Sequence, residues 1–219
     1  MEGMKLEIRI SRFDPQTDTG PRHQKFKITV TRAETVLGAL QQLYESQDST
    51  LAFRFGCRFK GCGLCTIRIN GRARLACTTR VEDGMELAPL DRFPIVRDLW
   101  VDRRPVTRFL ARHRLHLVPA TERESVSVFE VPPVYEELAR CVECLACLSE
   151  CPYFRLEDDG FGGPLTFVKI AMLHHDPRDT VDRRAQAAEL GIARCAVCEK
   201  HCRCPGGVPI YRAAIQPFL

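Results

Sequence analysis

Cysteine spacing constrains this chain more than any other feature. Twelve cysteines fall into three groups of four. Cys57, Cys62, Cys65 and Cys77 follow the order C-x4-C-x2-C, with eleven residues before the last. Cys141, Cys144, Cys147 and Cys151 lie in CVECLACLSECP, a C-x2-C-x2-C-x3-C-P run. Cys195, Cys198, Cys202 and Cys204 crowd into CAVCEKHCRCP near the end of the sequence. Thiolates grouped so closely are disulfide partners or metal ligands, and the compartment decides between them. The first ten residues, MEGMKLEIRI, hold no apolar leader segment, and no apolar run reaches the roughly 18 residues of a membrane span. An intracellular, reducing setting is therefore expected, with the cysteines serving metal.

The first spacing is that of a plant-type [2Fe–2S] site. Two irons bridged by sulfide need two thiolates each. A tight loop supplies three, and the fourth must come from a separate segment folded against it. Gly61 and Gly63 let the backbone bend round such a group and turn N–H groups toward its sulfurs. A zinc site would prefer two C-x2-C knuckles, and Cys57 with Cys62 makes none. The second run is that of a [4Fe–4S] ferredoxin, in which the Cys before Pro serves the other cluster of a pair. Cys141, Cys144 and Cys147 then need a fourth ligand from elsewhere, and Cys204, also followed by Pro, is the expected donor. Cys151 is left to join Cys195, Cys198 and Cys202. Every cysteine is used, four to each of three clusters. His201 is the alternative ligand in the last group, and the adjacent, softer thiolate of Cys202 is preferred.

The rest of the pattern fits around these sites. Leu6, Ile8 and Ile10, then Phe26, Ile28 and Val30, alternate as half-buried strands joined through DPQTDTGP. Residues 34–46 present one apolar helical face, and Thr66–Ile69 and Arg72–Ala76 flank Asn70-Gly71, a two-residue hairpin signal. From about residue 134 the pattern turns helical. Pro164 opens one helix, and a second, capped by Thr180, stops at Gly191. The expected fold class is α+β, with one domain over 1–105 and a mostly helical one over 106–219. The formal charge is +4, and residues 103–114 hold five Arg and no acid. That run is read as a solvated helix face. No helix-turn-helix pattern accompanies it, so no nucleic-acid partner is expected. Neither a Walker loop, a GxGxxG nor a Ser-His-Asp arrangement is present, so no catalytic residue is assigned.

RFDP, TLAFRFGCRFKGCGLC, INGRARLACTT, PIVRDLWVD, VYEELARCVECLACLSECP, FGGP, DPRD and CPGGVPI occur in that order. The chain thereby resembles the iron–sulfur subunit of succinate dehydrogenase and fumarate reductase over nearly its whole length. The resemblance implies a β-grasp [2Fe–2S] domain followed by a helical two-cluster ferredoxin domain. It implies electron transfer between an FAD-containing flavoprotein subunit and a quinone or a membrane-side acceptor, with an anchor subunit as a further partner. It also implies a cytoplasmic place, peripheral on the inner face of the membrane. The chain departs from the family at four points. Lys60 stands where the family has Gly, so a loop needing positive φ there would have to rearrange. Ala196 replaces a His, and Tyr153-Phe154-Arg155 replaces the Ser and Trp segment that borders the quinone, which points away from ubiquinone. Tyr153, Phe154 and Phe161 are read as core. Cys198 adds a thiolate where the family's third cluster is commonly [3Fe–4S], which favours [4Fe–4S] here. The alternative reading keeps the wire and changes the partner, to another flavoprotein with a low-potential, heterodisulfide-reductase-like or ferredoxin-linked acceptor.

Overall fold

The computed structural model describes residues 3–30, 34–119, 130–199 and 202–219. His201 lies outside the described residues. The chain forms two compact units, Met1–Asp102 with Val142–Glu150, and Arg103–Cys141 with Cys151–Leu219. Mixed sheet and helices make the fold α+β.

The first unit is built on a five-stranded sheet in the order β2-β1-β5-β3-β4. Strands β1 (Met4–Arg12) and β2 (Arg22–Val30) pair antiparallel, with Ile8 opposite Phe26. Their alternating apolar residues are buried, as the period-two pattern requires. Helix α1 (Val36–Ser46) buries Val36, Leu37, Ala39, Leu40 and Leu43 and is capped by the Thr35 side chain on the Gly38 N–H. Strands β3 (Thr66–Ile69) and β4 (Arg72–Leu75) close through Asn70 and Gly71, both left-handed at φ 51° and 76°. That is the turn whose twist suits a two-residue hairpin. Strand β5 (Glu86–Ala88), which the sequence pattern does not predict, joins the two hairpins: it runs parallel to β1 and antiparallel to β3. A small antiparallel pair, β6 (Ile95–Arg97) and β7 (Trp100–Val101), completes the unit.

Two ties place the cysteine segments. The N-terminal N–H groups of α1 donate back to the hairpin exit, Val36 to Thr79 O at 2.8 Å and Leu37 to Ala76 O at 3.0 Å, while Ala76 N–H donates to Cys65 O. Cys77 is thereby held beside Cys65. Arg12 is 4 % exposed and clamps the approach to the loop. It donates to Asp98 at 3.0 Å, Asp48 at 2.5 Å, Gln24 and Thr50, and Asp98 also accepts from the Ala52 N–H. Val142–Glu150, carrying helix α4 (Ala146–Glu150), packs here too: Glu150 accepts from the Ala73 N–H and Ser149 from the Asp91 N–H.

The second unit is helical. Helices α2 (Arg104–Arg112), α3 (Pro133–Ala139), α5 (Gly163–His174) and α6 (Arg183–Glu189) are followed by a 3-10 turn at Ile192–Cys195 and a π-helical turn at Tyr211–Ile215. Helix α5 is apolar almost all round and buried from Gly163 to Ala171 except Lys169, which marks it as the central helix. Phe161 and Phe154 are core, whereas Tyr153 is 37 % exposed and meets Phe161 edge-on. Asp182, not Thr180, caps α6, accepting from the Arg184 and Ala185 N–H groups. The Thr180 hydroxyl instead donates to Val118 O. Arg183, fully buried, grips Asp179 through two nitrogens and donates to the carbonyls of Arg114 and His116.

Candidate metal centres

Cys65 and Cys77 are buried and Cys57 and Cys62 half-buried. The structure sorts these four into two pairs. The thiols of Cys57 and Cys62 share a hydrogen bond, and so do those of Cys65 and Cys77. Burial pushes the Cys65 thiol up to about 12, helped by the neighbouring Cys77. Burial raises Cys62 as well, but N–H groups of Cys57, Leu64 and Gly56 outweigh it and its pKa falls below the ordinary value. Further N–H groups face the sulfurs: Cys57 to Cys62 Sγ at 3.4 Å, Lys60 to Cys77 Sγ at 3.4 Å and Gly61 to Cys57 Sγ at 3.1 Å. Left-handed residues recur at Arg58, Lys60 and Gly63, a backbone that curls N–H groups into an anion-binding nest. The loop has not rearranged around Lys60. Lys60 takes the left-handed conformation at φ 60°, which costs a non-glycine residue about 1–2 kcal/mol.

Gly63 sets the distance to the second group. A Cβ there would lie 2.7 Å from Val142 O and 2.8 Å from Cys144 Cβ. The loop of the first group and the Cys144 segment are thus in direct contact within the first unit. Cys144 is flanked by left-handed Glu143 and Leu145. Cys144 and Cys147 belong to the first unit, and Cys141 and Cys204 to the second. Within the second unit, a Cβ on Gly206 would meet Cys204 Sγ at 3.6 Å and the Arg140 carbonyl at 3.9 Å. The Cys204 turn therefore lies beside the residue that precedes Cys141.

The third group gathers inside the second unit. Burial pushes Cys195 up to about 12, reinforced by the charges of Cys151 and Cys198. Cys202 also rises to about 12, first by burial and then by Cys151, Cys195 and Cys198. Those four thiols share one environment. Among the described residues, no three His, Cys, Asp or Glu side chains gather as they would round a single metal ion. Iron–sulfur clusters take only one or two thiolates per iron, and thiols that are paired or grouped, half of them buried and half half-buried, fit that demand.

Sequence patterns give no sign of the surface beside the first group. Tyr44, Phe55, Phe59 and Trp100 are 46 %, 38 %, 72 % and 38 % exposed. Arg54 covers the Trp100 ring and Arg58 the Phe55 ring. A cavity of about 920 Å³ opens there, lined in part by Tyr44, Phe53, Phe55, Arg97 and Trp100. Single exposed aromatics carry no signal, and only folding brings these together.

Thiolate groups with these spacings, on a mixed sheet and a helical unit, define an iron–sulfur protein. Residues 7–108 match the 2Fe-2S iron-sulfur cluster binding domain family. The chain is 32 % identical over 219 residues to the fumarate reductase iron-sulfur subunit of Mycobacterium tuberculosis, covering 93 % of this chain and 87 % of that one. It superposes on a chain of the Mycobacterium smegmatis Sdh1 complex in the apo form with a TM-score of 0.84 at 29 % identity, covering 99 % of this chain and 94 % of that one. It is also 32 % identical to a fumarate reductase (CoM/CoB) subunit of Methanothermobacter marburgensis, over 96 % of this chain and 43 % of that one. The chain spans about two fifths of the length of that relative and of an uncharacterized iron-sulfur protein of Methanocaldococcus jannaschii. The chain belongs to the family of fumarate reductase and succinate dehydrogenase iron–sulfur subunits.

Proposed function

We propose that this chain is the electron-transfer subunit of a succinate dehydrogenase/fumarate reductase-like complex, working between an FAD-containing subunit and a quinone or another membrane-side acceptor. One observation carries the reading: Gly63 lets the first cysteine loop press against Cys144, so the segments that carry two of the proposed redox sites touch. Cys57, Cys62, Cys65 and Cys77 hold a [2Fe–2S] cluster in this reading. Cys141, Cys144, Cys147 and Cys204 hold a [4Fe–4S] cluster. Cys151, Cys195, Cys198 and Cys202 hold a third, [4Fe–4S] rather than [3Fe–4S]. The clusters carry the electrons, and the chain supplies ligands, N–H groups toward sulfur and a dry surround. The sheet order and α1 support a β-grasp domain over 1–105, and the helical content a ferredoxin domain over 106–219. No side chain here does substrate chemistry, which falls to the partner. The exposed aromatic and cationic face beside the first site supports docking of that partner. Among the described residues no helix is long and apolar enough to cross a membrane. Membrane association therefore runs through partner subunits in this reading.

Ala196 and Cys198 favour a second reading, in which the flavoprotein serves a low-potential acceptor. The relative named for CoM/CoB supports it. Anaerobic purification with the native flavoprotein separates the two. Succinate–fumarate turnover with a quinone analogue supports the first reading, and fumarate reduction by thiols without quinone supports the second. A colourless protein holding zinc overturns both.

A further inference from the structure

We propose that the cavity walled by Tyr44, Phe55 and Trp100 is a docking groove for a segment of the flavoprotein partner that carries an apolar side chain flanked by carboxylates. The proposal rests on the reading that this chain works with such a subunit. It adds which residues hold the partner and what chemistry they select.

The walls come from three separate stretches of the first unit. The end of α1 gives Tyr44, the stretch leading into the cysteine loop gives Phe53 and Phe55, and the β6–β7 pair gives Arg97 and Trp100. Tyr44 meets Phe53 edge-on at 6.3 Å, and Phe53 stacks on Phe55 at 5.9 Å. Tyr44, Phe55 and Trp100 are nevertheless exposed. Adjoining exposed rings mark an interaction site, and Trp, Tyr and Arg are the residues that most often anchor one.

The charges at the rim select the occupant. Arg54 lies 5.4 Å over the Trp100 ring and Arg58 5.3 Å over the Phe55 ring. Both are exposed, and among the described residues neither guanidinium meets a carboxylate. Arg97, by contrast, is matched by Asp14 at 3.2 Å. Glu45 is the other acid of the lining. A guanidinium placed over a ring keeps its N–H donors for a further partner, and a carboxylate fits that fork. The occupant's apolar side chain enters between the rings, and its carboxylates meet Arg54 and Arg58. Phe55 and Arg58 stand on either side of Cys57 in the sequence, so the docked segment lies against the first cysteine loop.

The groove is formed before the partner arrives. Asp98, two residues before Trp100, accepts from Arg12 at 3.0 Å and from the Ala52 N–H at 2.8 Å. The Leu99 N–H donates to the Ala52 carbonyl at 3.1 Å, and Ala52 directly precedes Phe53. Two walls are thereby tied to each other, which lowers the ordering cost of docking.

The test titrates the full chain, with its clusters, against the native flavoprotein, both purified anaerobically, at about 50 mM and about 500 mM salt. Trp100→Ala should weaken binding at least about tenfold at both salt levels. Arg54→Gln with Arg58→Gln should weaken it about tenfold at low salt and less than about threefold at high salt, since rim charges act through the screened field. Lys25→Gln, on the exposed face of β2, should change nothing. Iron content and unfolding midpoint show that each variant is intact. Hydrogen exchange in the unaltered chain gives a readout free of mutation, and amides of residues 49–58 and 95–101 should slow in the complex. Unchanged affinity in Trp100→Ala, unslowed exchange in those stretches, or a salt dependence as steep in the double arginine variant as in the unaltered chain overturns the proposal and leaves the electron-transfer reading standing. An unaltered chain that binds no flavoprotein overturns that reading itself.

Discussion

The two ends of this iron–sulfur chain build their thiolate sites by different means. In the first unit, Cys57–Cys65 form one loop, held by backbone N–H groups donated to its sulfurs, by the Thr66 hydroxyl donated to the Gly63 carbonyl and by the Ala76 N–H donated to the Cys65 carbonyl. In the second unit, Cys151 comes from a segment far in sequence from Cys195, Cys198 and Cys202, and the fold sets the four close enough to act on one another. A local loop announces its geometry through spacing. A site assembled from remote pieces announces only its ligand count.

The largest effect that would break this contrast lies in the closing stretch. On the proposed crossed assignment, Cys202→Ser should remove the cluster shared with Cys151, and Cys204→Ser the one shared with Cys141, each losing about four of ten irons. Iron and sulfide analysis with EPR of the reduced variants reads which cluster is gone, and loss of the same cluster in both variants sinks the crossed assignment. Next in size, Arg183→Ala leaves the Asp179 carboxylate, 2 % exposed, without its cationic partner and with the Val118 N–H as a remaining donor. It should cost about 3–5 kcal/mol in denaturant unfolding, with much of that recovered when Asp179→Leu is added to Arg183→Met. An unchanged midpoint would show that helix packing alone assembles the second unit.

Gly63→Ala sharpens the contrast from the other side. It adds a Cβ against Cys144 at a positive φ and should cost at least about 2 kcal/mol. Gly207→Ala is also at positive φ but meets nothing, and should cost only about 1 kcal/mol. Equal costs would refute the close contact. Acid should weaken the first unit through Asp48, whose pKa the Thr50 hydroxyl and Arg12 hold down at about 2. A depressed carboxylate stabilises above its ordinary value of 3.8, so up to about 2 kcal/mol is lost as pH falls from about 4 toward 2. Asp48→Asn should flatten that part of the stability profile. Smallest, Lys60→Gly relieves the left-handed strain and should add about 1 kcal/mol. It should also lower the [2Fe–2S] reduction potential in a redox titration, because a nearby cation favours the reduced cluster.

Spacing and periodicity made much of this legible. The strands over residues 4–12 and 22–30, the helix at 36–46, the Asn70-Gly71 hairpin and the helix opened by Pro164 all follow from local patterns. Strand β5 did not show itself. Three residues, Glu86–Ala88, carry too short an alternation, and their strand exists only because β1 and β3 offer hydrogen bonds on both sides. Nor could sequence predict that Lys60 would accept a backbone usually left to glycine.

The kind, number and spacing of the candidate ligands were set by the sequence alone, since thiolate chemistry is a property of residue type and of how many residues separate one sulfur from the next. The tertiary structure decided which thiols are neighbours and which are sheltered. It set Cys57 with Cys62 and Cys65 with Cys77, and it drew Cys151 to Cys195, Cys198 and Cys202. Which thiols become neighbours depends on contacts between residues that no local spacing relates.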